Sequence, residues 1–374
     1  MIEYRKARPD EREACLDLAN YVFNYTYGNH DFETQTPKVY KDTVDSSSIH
    51  RVAVDEQGRV RALIALMPNE AFVCGHKLRT GYIGTVCVHP KSRGEGHMKR
   101  IMADWREEMD GACDMAILTG QRQRYEYFGF VPGGTCAKFK VTPTNIRHAL
   151  KSLDASRISF VPLFETQGAS EYALLLNAAR PAYADRGTRP LEDILVTFNQ
   201  KPLAVLDGGR RVGYLIVGER NADISEIALE QPEELAKVVK AYMAHTGSEQ
   251  IAITVPEYDL LANKCLGDFA ESECLAPSAM YNIINYANVL RAYLTLKVQT
   301  MWLESAVFSA VIDGQPVTAA VDKSGVTVEE TARADAVILD KRQADRLLLT
   351  RHGDIPSPRG WFPLPIFWYM PDTF

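Results

Sequence analysis

The 374-residue sequence lacks the long hydrophobic runs and paired cysteines that mark membrane and secreted proteins. No apolar run approaches the ~20 residues that a membrane-spanning helix needs. The first residues, MIEYRKARPDERE, carry too many charges for a secretory signal. The seven cysteines are dispersed without a CxxC pair, which indicates reduced thiols rather than a disulfide framework. These absences predict a cytoplasmic protein with no membrane partner, and we expect no bound metal.

An excess of positive charge is also missing. The formal net charge is −6 and the isoelectric point is near 5.8, so we expect no general attraction to nucleic acid. The apolar content of 46% and the charged content of 24% are typical of globular proteins and argue against long disordered segments. A chain of this length exceeds the usual single core, which predicts two or three domains.

The stretch from Tyr82 to Met109 has the pattern of a strand, a tight basic loop and an amphipathic helix. Tyr82 to Val88 is rich in β-branched and aromatic residues, and His89-Pro90 ends the run. Arg93-Gly94-Glu95-Gly96 then opens a predicted helix. The apolar residues of this helix recur on one helical face, and they are Met98, Ile101, Met102, Trp105 and Met109.

This loop has the features of an anion site, because free backbone N–H groups and the positive end of the helix dipole converge at a helix N-terminus. Arg93 adds a planar cation suited to phosphate. The loop has neither the Gly-Lys-Ser/Thr of a nucleotide P-loop nor the three-glycine dinucleotide fingerprint. An Arg-x-x-Gly loop after a Val-x-Val-x-Pro strand resembles the GNAT superfamily of acyl-CoA-dependent N-acetyltransferases, whose loop amides hold the CoA pyrophosphate. The alternative is a surface turn with an incidental arginine.

The remaining pattern predicts a mixed α/β (α+β) protein of three domains. Residues 1–145 follow the strand and helix order of a GNAT domain, with a last strand predicted at Cys136 to Val141. Residues 146–285 repeat that order, but the run LEQPEE at 229–234 places three carboxylates where a pyrophosphate would bind. We therefore expect a second, degenerate GNAT-like domain without a cofactor of its own. Residues 286–374 resemble a sterol-carrier-protein-like fold in pattern, and the aromatic tail from Trp361 is expected to be buried.

Two GNAT-like domains followed by a carrier-like domain resemble the Eis (enhanced intracellular survival) family of acetyl-CoA-dependent N-acetyltransferases, some of which acetylate aminoglycosides. The specific matches are the strand and loop at 86–98, the Tyr-x-x-Phe-Gly-Phe run at 125–130 and the C-terminal FPLP…F. The resemblance implies ring-like homo-oligomers, with a hexamer as one option. It also implies a set of acetyl-CoA-binding residues, in which Val86 and Val88 offer backbone groups to the pantetheine arm while Arg93, Gly94, Glu95, Gly96, His97 and Met98 hold the pyrophosphate.

The same resemblance makes Tyr125 the general acid and the carboxylate of Phe374 the general base. A phenol with a reference pKa of about 10 can protonate a departing CoA thiolate. A terminal carboxylate, with a reference pKa near 3.5, is a weak base unless burial among the tail aromatics raises its pKa. The alternatives are that Tyr125 only packs beside its aromatic neighbours and that the tail only seals a domain seam. His89 and His97 are other candidate bases, but their place in the phosphate loop favours structural roles.

The predicted reaction is direct transfer of an acetyl group to a primary amine of a cationic acceptor, either aminoglycoside-like or another polyamine. Asp31 and Glu33, in the polar segment after the first helix, are the anions that could reach such an acceptor. One alternative is a protein-lysine or small polyamine N-acetyltransferase. Another is a non-catalytic protein that binds an apolar ligand in the carrier-like domain.

Overall fold

The computed structural model describes residues 1–374. The strands are β1 (Glu3–Lys6), β2 (His50–Val54), β3 (Val60–Val73), β4 (His76–Val88), β5 (Met115–Leu118), β6 (Val131–Gly133), β7 (Cys136–Val141), β8 (Ile158–Pro162), β9 (Ala182–Ala184), β10 (Lys201–Asp207), β11 (Arg210–Val217), β12 (Asp223–Leu229), β13 (Ile251–Pro256), β14 (Ser272–Ala276), β15 (Ala279–Ile283), β16 (Ala306–Ile312), β17 (Gln315–Asp322), β18 (Gly325–Glu329) and β19 (Val337–Leu339). The helices are α1 (Arg12–Tyr27), α2 (Phe32–Gln35), α3 (Pro37–Tyr40), α4 (His97–Met109), α5 (Arg122–Tyr125), α6 (Pro143–Ala149), α7 (Ala169–Ala178), α8 (Leu191–Leu195), α9 (Leu235–Thr246), α10 (Leu260–Gly267), α11 (Tyr286–Thr300) and α12 (Lys341–Leu349).

These strands form three sheets. The first has the order β1-β2-β3-β4-β5-β15-β6, with β9 added beside β3. The second has the order β14-β7-β13-β12-β11-β10-β8, and the third is the four-stranded sheet β18-β17-β16-β19. The mixed α/β class predicted from the sequence is therefore confirmed. None of the helices is long and apolar enough to cross a membrane.

Each of the first two sheets contains a strand that the chain order would place in the other. The expectation that Cys136 to Val141 closes the first sheet is wrong, because this segment, β7, lies between β13 and β14 of the second sheet. Its place is taken by β15, in which Tyr281 pairs with Ile117 on one side and Val131 on the other. Alternating apolar residues predict a strand but not its partner, so two short buried strands could not be assigned to their sheets from the sequence. The domain limits at residues 145 and 285 stay a prediction.

Strand β4 separates from β5 halfway along its length. The two strands pair in parallel only from Thr80 to Tyr82, opposite Met115 to Ile117. Beyond that point the register of β4 with β3 shifts, and Thr85 has a positive φ of 46°. A bulge of this kind bends a strand and increases its twist. The half of β4 that follows Tyr82 therefore has an open edge facing the gap beside β5.

Helix α4 covers this region from the side and confirms the predicted apolar face. Ile101, Met102, Trp105 and Met109 are all buried. The Trp105 indole Nε1 donates to the Ile64 carbonyl at 3.0 Å. Burial of each large apolar side chain contributes about 1.5–3 kcal/mol, so this face fixes the position of the helix N-terminus.

The aromatic tail is buried, as expected from its composition. Trp361, Leu364 and Ile366 are fully enclosed in a core shared by the first sheet, α11 and the third sheet. Main-chain hydrogen bonds anchor the tail at both ends of this region, from Leu364 N to Leu348 O at 2.7 Å and from Thr135 N to Ile366 O at 3.2 Å. The tail thus runs from the third sheet back to the first. The resemblance of residues 286–374 to a sterol-carrier protein stays a prediction.

Candidate active site

A cavity of about 920 Å³ opens where β4 leaves β5. Its walls come from α1, the second half of β4, the loop before α4 and the segment around α5, and Phe374 joins them from the tail. Nine of the ten predicted site residues line it, namely Val86, Val88, Arg93, Gly94, Gly96, His97, Met98, Tyr125 and Phe374. The tenth, Glu95, does not line the cavity, and its carboxylate pairs with His97 Nε2 at 3.0 Å.

The loop before α4 presents a series of unpaired backbone donors. The N–H groups of residues 94–99 donate to no acceptor within the protein. Gly94 and Gly96 have φ values of 88° and 83°, a conformation that side-chain-bearing residues rarely adopt. The guanidinium of Arg93 lies over the Tyr25 ring, 5.8 Å from its centroid. The donors, the helix dipole and the cation fit a diphosphate group.

The two histidines near this loop have structural roles. His97 is 3% exposed, and its Nδ1 shares a hydrogen bond with the Tyr4 hydroxyl at 2.8 Å while Nε2 faces Glu95. His89 accepts a hydrogen bond from Lys91 N at 3.2 Å and stacks on Tyr21 with the ring centroids 5.4 Å apart. Both ring nitrogens of His97 are therefore engaged, which leaves it without a free nitrogen to serve as a base.

Tyr125 lies at the end of α5 and is 6% exposed. Its ring lies against Gly120, where a larger residue would displace it. Burial raises the pKa of the Tyr125 phenol, while the charge and hydrogen bonding of Arg124 act in the opposite direction. A raised pKa keeps the phenol protonated at neutral pH, which is the state that a proton donor needs.

Phe374 is 7% exposed and packs against β4. A Cβ added at Gly84 would lie 2.6 Å from Cδ1 of Phe374 and 2.9 Å from its main-chain oxygen, so the close approach requires glycine. Lys38 fixes the residues before it, since Lys38 Nζ donates to the carbonyls of Pro371 at 2.6 Å and Thr373 at 2.5 Å. Burial lowers the pKa of Lys38 to about 7, and Asp372 opposes this shift. Sequence reasoning did not identify Lys38, which has no local motif.

The bulge of β4 is held by buried hydrogen bonds. The Tyr40 hydroxyl lies 2.7 Å from Thr85 Oγ1, to which it donates, and 2.8 Å from His50 Nε2. Burial lowers the pKa of His50 to about 4, so this imidazole is neutral near pH 7. Tyr40 also stands beside the Phe374 ring, with the centroids 5.9 Å apart. This hydrogen-bond network holds Thr85, which lines the cavity, in place.

Part of the cavity wall is aromatic, and sequence reasoning missed it. Its rings belong to Phe23, Tyr27, His30, Phe32, Phe198 and Phe374. The spacing of Phe23 and Tyr27, four residues apart on α1, was the available signal. Phe198 comes from the segment after α8, far along the chain, and no sequence pattern indicated it.

The two carboxylates expected to reach the acceptor do not line the cavity. Asp31 caps α2, accepting from Glu33 N at 3.1 Å and Thr34 Oγ1 at 2.7 Å. Glu33 pairs with Arg12 at 3.1 Å. The expectation of an acidic contribution from these residues is therefore wrong, because local capping and ion pairing use both side chains.

The corresponding helix of the second sheet, α9, lacks an anion loop. It follows a short turn at Pro232–Glu234, has no glycine there, and carries Glu233 and Glu234 in the first turn. Glu234 forms an ion pair with Lys237. Carboxylates at a helix N-terminus occupy the position that a phosphate would need.

Comparisons with known proteins agree with this geometry. Residues 3–133 match the family model described as acetyltransferase (GNAT) domain. The search of curated protein sequences gave no match.

Solved structures resemble the chain over nearly its whole length. The probable N-acyltransferase of Enterococcus faecalis has a TM-score of 0.66 at 16% identity, covering 93% of this chain and 90% of that one. A GCN5-related N-acetyltransferase from Anabaena variabilis has a TM-score of 0.63 at 16% identity, covering 93% and 90%. Eis1 from Mycobacterium abscessus has a TM-score of 0.60 at 11% identity, covering 91% and 87%. Residues 3–133 therefore form an acetyltransferase (GNAT) domain, and the whole chain has a fold similar to that of Eis1 and the other two solved structures.

Proposed function

We propose that the protein transfers the acetyl group of acetyl-CoA directly to a primary amine of a small acceptor. The observation that carries this proposal is the single cavity that brings together the unpaired amides of residues 94–99, the free edge of β4 and the Tyr125 phenol. The amides would bind the diphosphate, the strand edge would bind the pantetheine arm, and Tyr125 would donate a proton.

Binding of acetyl-CoA is assigned to backbone groups more than to side chains. Val86 and Val88 lie on the part of β4 that has no partner in β5, so their main-chain groups are available to the pantetheine amides. Arg93 and residues 94–98 take the pyrophosphate. Glu95 acts indirectly, because its carboxylate orients His97 beneath the loop.

In the proposed step the amine nitrogen attacks the thioester carbonyl carbon, a C–N bond forms and the C–S bond breaks. Tyr125 gives its proton to the departing sulfur, and the amine loses one proton to a base. We assign the base to the carboxylate of Phe374, whose residue lines the same cavity. His30 is the competing base, since it lines the cavity and its Nδ1 is buried without a hydrogen-bond partner.

The last unit and the assembly are part of the same proposal. We assign residues 286–374 a sterol-carrier-protein-like fold and the whole chain a homo-oligomeric state. Exposed apolar side chains in this unit support an interface, and they include Trp302 at 74%, Ile338 at 83% and Val307 at 46%. The free cysteines support a cytoplasmic location. Light scattering that finds a stable monomer at micromolar concentration would overturn the assembly.

A thiol-release assay with acetyl-CoA across a panel of primary amines tests the activity, and mass spectrometry confirms the acetylated product. Amine-dependent release of CoA is expected in the wild type. Lysine-containing peptides belong in the panel, because a preference for them would favour the protein-lysine alternative. Binding of acetyl-CoA without transfer to any amine would favour the non-catalytic alternative.

A further inference from the structure

Part of the cavity wall is a cluster of aromatic rings. The centroid of the Phe23 ring lies 4.9 Å from that of Phe32 and 5.1 Å from that of His30, both in edge-to-face contact. The centroid of the Tyr27 ring is 6.0 Å away. Phe198 and Phe374 add rings from two distant parts of the chain. This aromatic cluster offers ring faces and edges to a ligand rather than an array of hydrogen-bond acceptors.

The charged side chains that line the cavity are all cations, and the one anion assigned to it, the Phe374 carboxylate, serves the reacting amine. Arg93, Lys99 and Arg124 line it, and neither an Asp nor a Glu side chain does. These cations suit the phosphates of CoA, but they raise the potential at any second ammonium group. An ammonium buried without a carboxylate loses its hydration and gains no partner. A polycation such as an aminoglycoside would bring several such groups into the cavity.

From these two observations we infer that the acceptor is an amine with a single basic nitrogen on an aromatic or aliphatic body. Its chemical class is that of the arylalkylamines and long alkylamines, not that of the polyamines. The aromatic cluster would hold the apolar body, and a ring face can accept the one ammonium before it is deprotonated. This inference rests on the proposed function, since it names the acceptor of the same transfer step.

A matched pair of amines tests the inference in the wild-type protein. Hexylamine and hexamethylenediamine have the same chain length and differ by one terminal ammonium. We expect kcat/KM for hexylamine to exceed that for the diamine by about tenfold or more, because no Asp or Glu side chain lines the cavity to pair with the second ammonium. Phenethylamine is expected to be at least as good as hexylamine, and spermidine and kanamycin are expected to be poor. A diamine preferred over hexylamine would overturn the inference.

An added carboxylate should change the preference. Thr26 lines the cavity on an exposed turn of α1, so Thr26→Glu places an anion beside the aromatic cluster without filling the core. We expect the ratio of hexylamine to diamine kcat/KM to fall several-fold in this variant. Ala14→Glu, at an exposed position on the same helix outside the cavity, is the control and should leave the ratio unchanged. An unchanged ratio in Thr26→Glu, with wild-type circular dichroism, would count against the aromatic cluster as the acceptor site.

The outcomes separate this inference from the proposed function. Transfer to diamines or aminoglycosides in preference to monoamines would overturn the acceptor class and leave the acetyltransferase activity in place. Calorimetric binding of acetyl-CoA with no CoA release for any amine would overturn both. Preferential turnover of the monoamines, reversed or narrowed by Thr26→Glu alone, would support both.

Discussion

Arg186 binds Asp372 through two hydrogen bonds, from Nε to Oδ1 at 2.7 Å and from Nη2 to Oδ2 at 2.9 Å, with both side chains almost fully buried. The same guanidinium donates to both carboxylate oxygens of Glu226 in β12, at 2.9 and 2.8 Å. The second sheet is thereby connected to the tail two residues before Phe374. A substitution in the second sheet can therefore displace the tail and, through it, Phe374 in the cavity.

Arg186→Gln should destabilise the protein by about 3–5 kcal/mol, because it removes the ion-pair partner of buried Asp372 and one of the two arginines that pair with Glu226. Urea denaturation followed by circular dichroism measures the change. Arg157→Gln is the matched control, since its ion pair with Asp207 is on the surface with the arginine 73% exposed. That control should cost at most about 1 kcal/mol. Equal effects of the two variants would contradict the structural role of Arg186.

Tyr125→Phe keeps the ring against Gly120 and removes only the proton that the sulfur needs. We expect kcat to fall by about 10²-fold or more, with the affinity for acetyl-CoA unchanged. Stopped assays of CoA release and calorimetry give the two quantities. Tyr127→Phe is the control, because Tyr127 also lines the cavity but is 65% exposed. If kcat in Tyr125→Phe stays within two- or threefold of wild type, Tyr125 is a packing residue.

Local sequence was sufficient wherever one element carried the whole signal. The strand, loop and helix from Tyr82 to Met109 have the predicted order, and the apolar stripe of α4 is buried. Local sequence was insufficient wherever distant segments meet. The placement of β7 and β15 depends on pairing partners more than 100 residues away, from Cys136 to Ala276 and from Met115 to Ile283. Lys38 contacts carbonyls 333 and 335 residues later, a relation that no periodicity contains.

The acidic segment after α1 shows a different limit. The sequence offers Asp31 and Glu33 as the anions that could reach a cationic acceptor. In the structure Asp31 caps a short helix and Glu33 pairs with Arg12. An Asp before a short helix can cap the helix or face a ligand, and the fold decides between the two roles.

Loss of the anion loop should abolish cofactor binding. In Arg93→Ala/Gly96→Asp the cation disappears and a carboxylate enters the row of free amides, so calorimetry should show no acetyl-CoA binding. The wild type should bind one acetyl-CoA per chain, because the start of α9 carries Glu233 and Glu234 instead. Gly58→Asp is the control for backbone strain, since Gly58 has a similar φ of 75° in an exposed turn. Two equivalent sites per chain, or unchanged affinity in the double variant, would contradict the assignment.

Lys38 should make stability depend on pH. Its pKa falls from 10.5 to about 7 on folding because of burial, so the unfolded chain binds the extra proton between these values. The contribution of Lys38 to the free energy of unfolding therefore rises as pH increases through that range. The free energy of unfolding of the wild type minus that of Lys38→Met, measured by urea denaturation, should increase from about pH 7 to about pH 10.

Lys240→Met is the control for that experiment. Lys240 also donates to main-chain carbonyls, those of Leu150 at 2.8 Å and Leu153 at 2.6 Å, but it is only half-buried. Any pH dependence shared by the two variants reports the loss of a lysine in general, and the excess in Lys38→Met reports the burial of Lys38. A pH dependence for Lys38→Met no larger than that for Lys240→Met would show that solvent reaches the Lys38 ammonium.

Two kinds of variant test the position of Phe374, one in β4 beside its ring and one at its carboxylate. Gly84→Ala should push the Phe374 ring and main-chain oxygen out of place, because the new methyl would lie 2.6 Å from the ring. We expect kcat/KM to fall strongly. Gly267→Ala, at a position with nothing within 4 Å, should have no effect on activity.

One residue added after Phe374 turns its carboxylate into a neutral amide, moves the terminal carboxylate about 3.5 Å along the chain and adds bulk where Phe374 lines the cavity. We expect kcat/KM to drop strongly in this variant while the melting temperature changes little, because the anchors of the tail at Trp361, Leu364 and Ile366 are untouched. A residue added before Met1, which is 96% exposed, should be harmless. If the extended chain keeps full activity while Gly84→Ala does not, the Phe374 ring shapes the cavity and the carboxylate has no part in the reaction. His30→Gln then becomes the variant expected to lose turnover, because His30 is the remaining candidate base in the cavity.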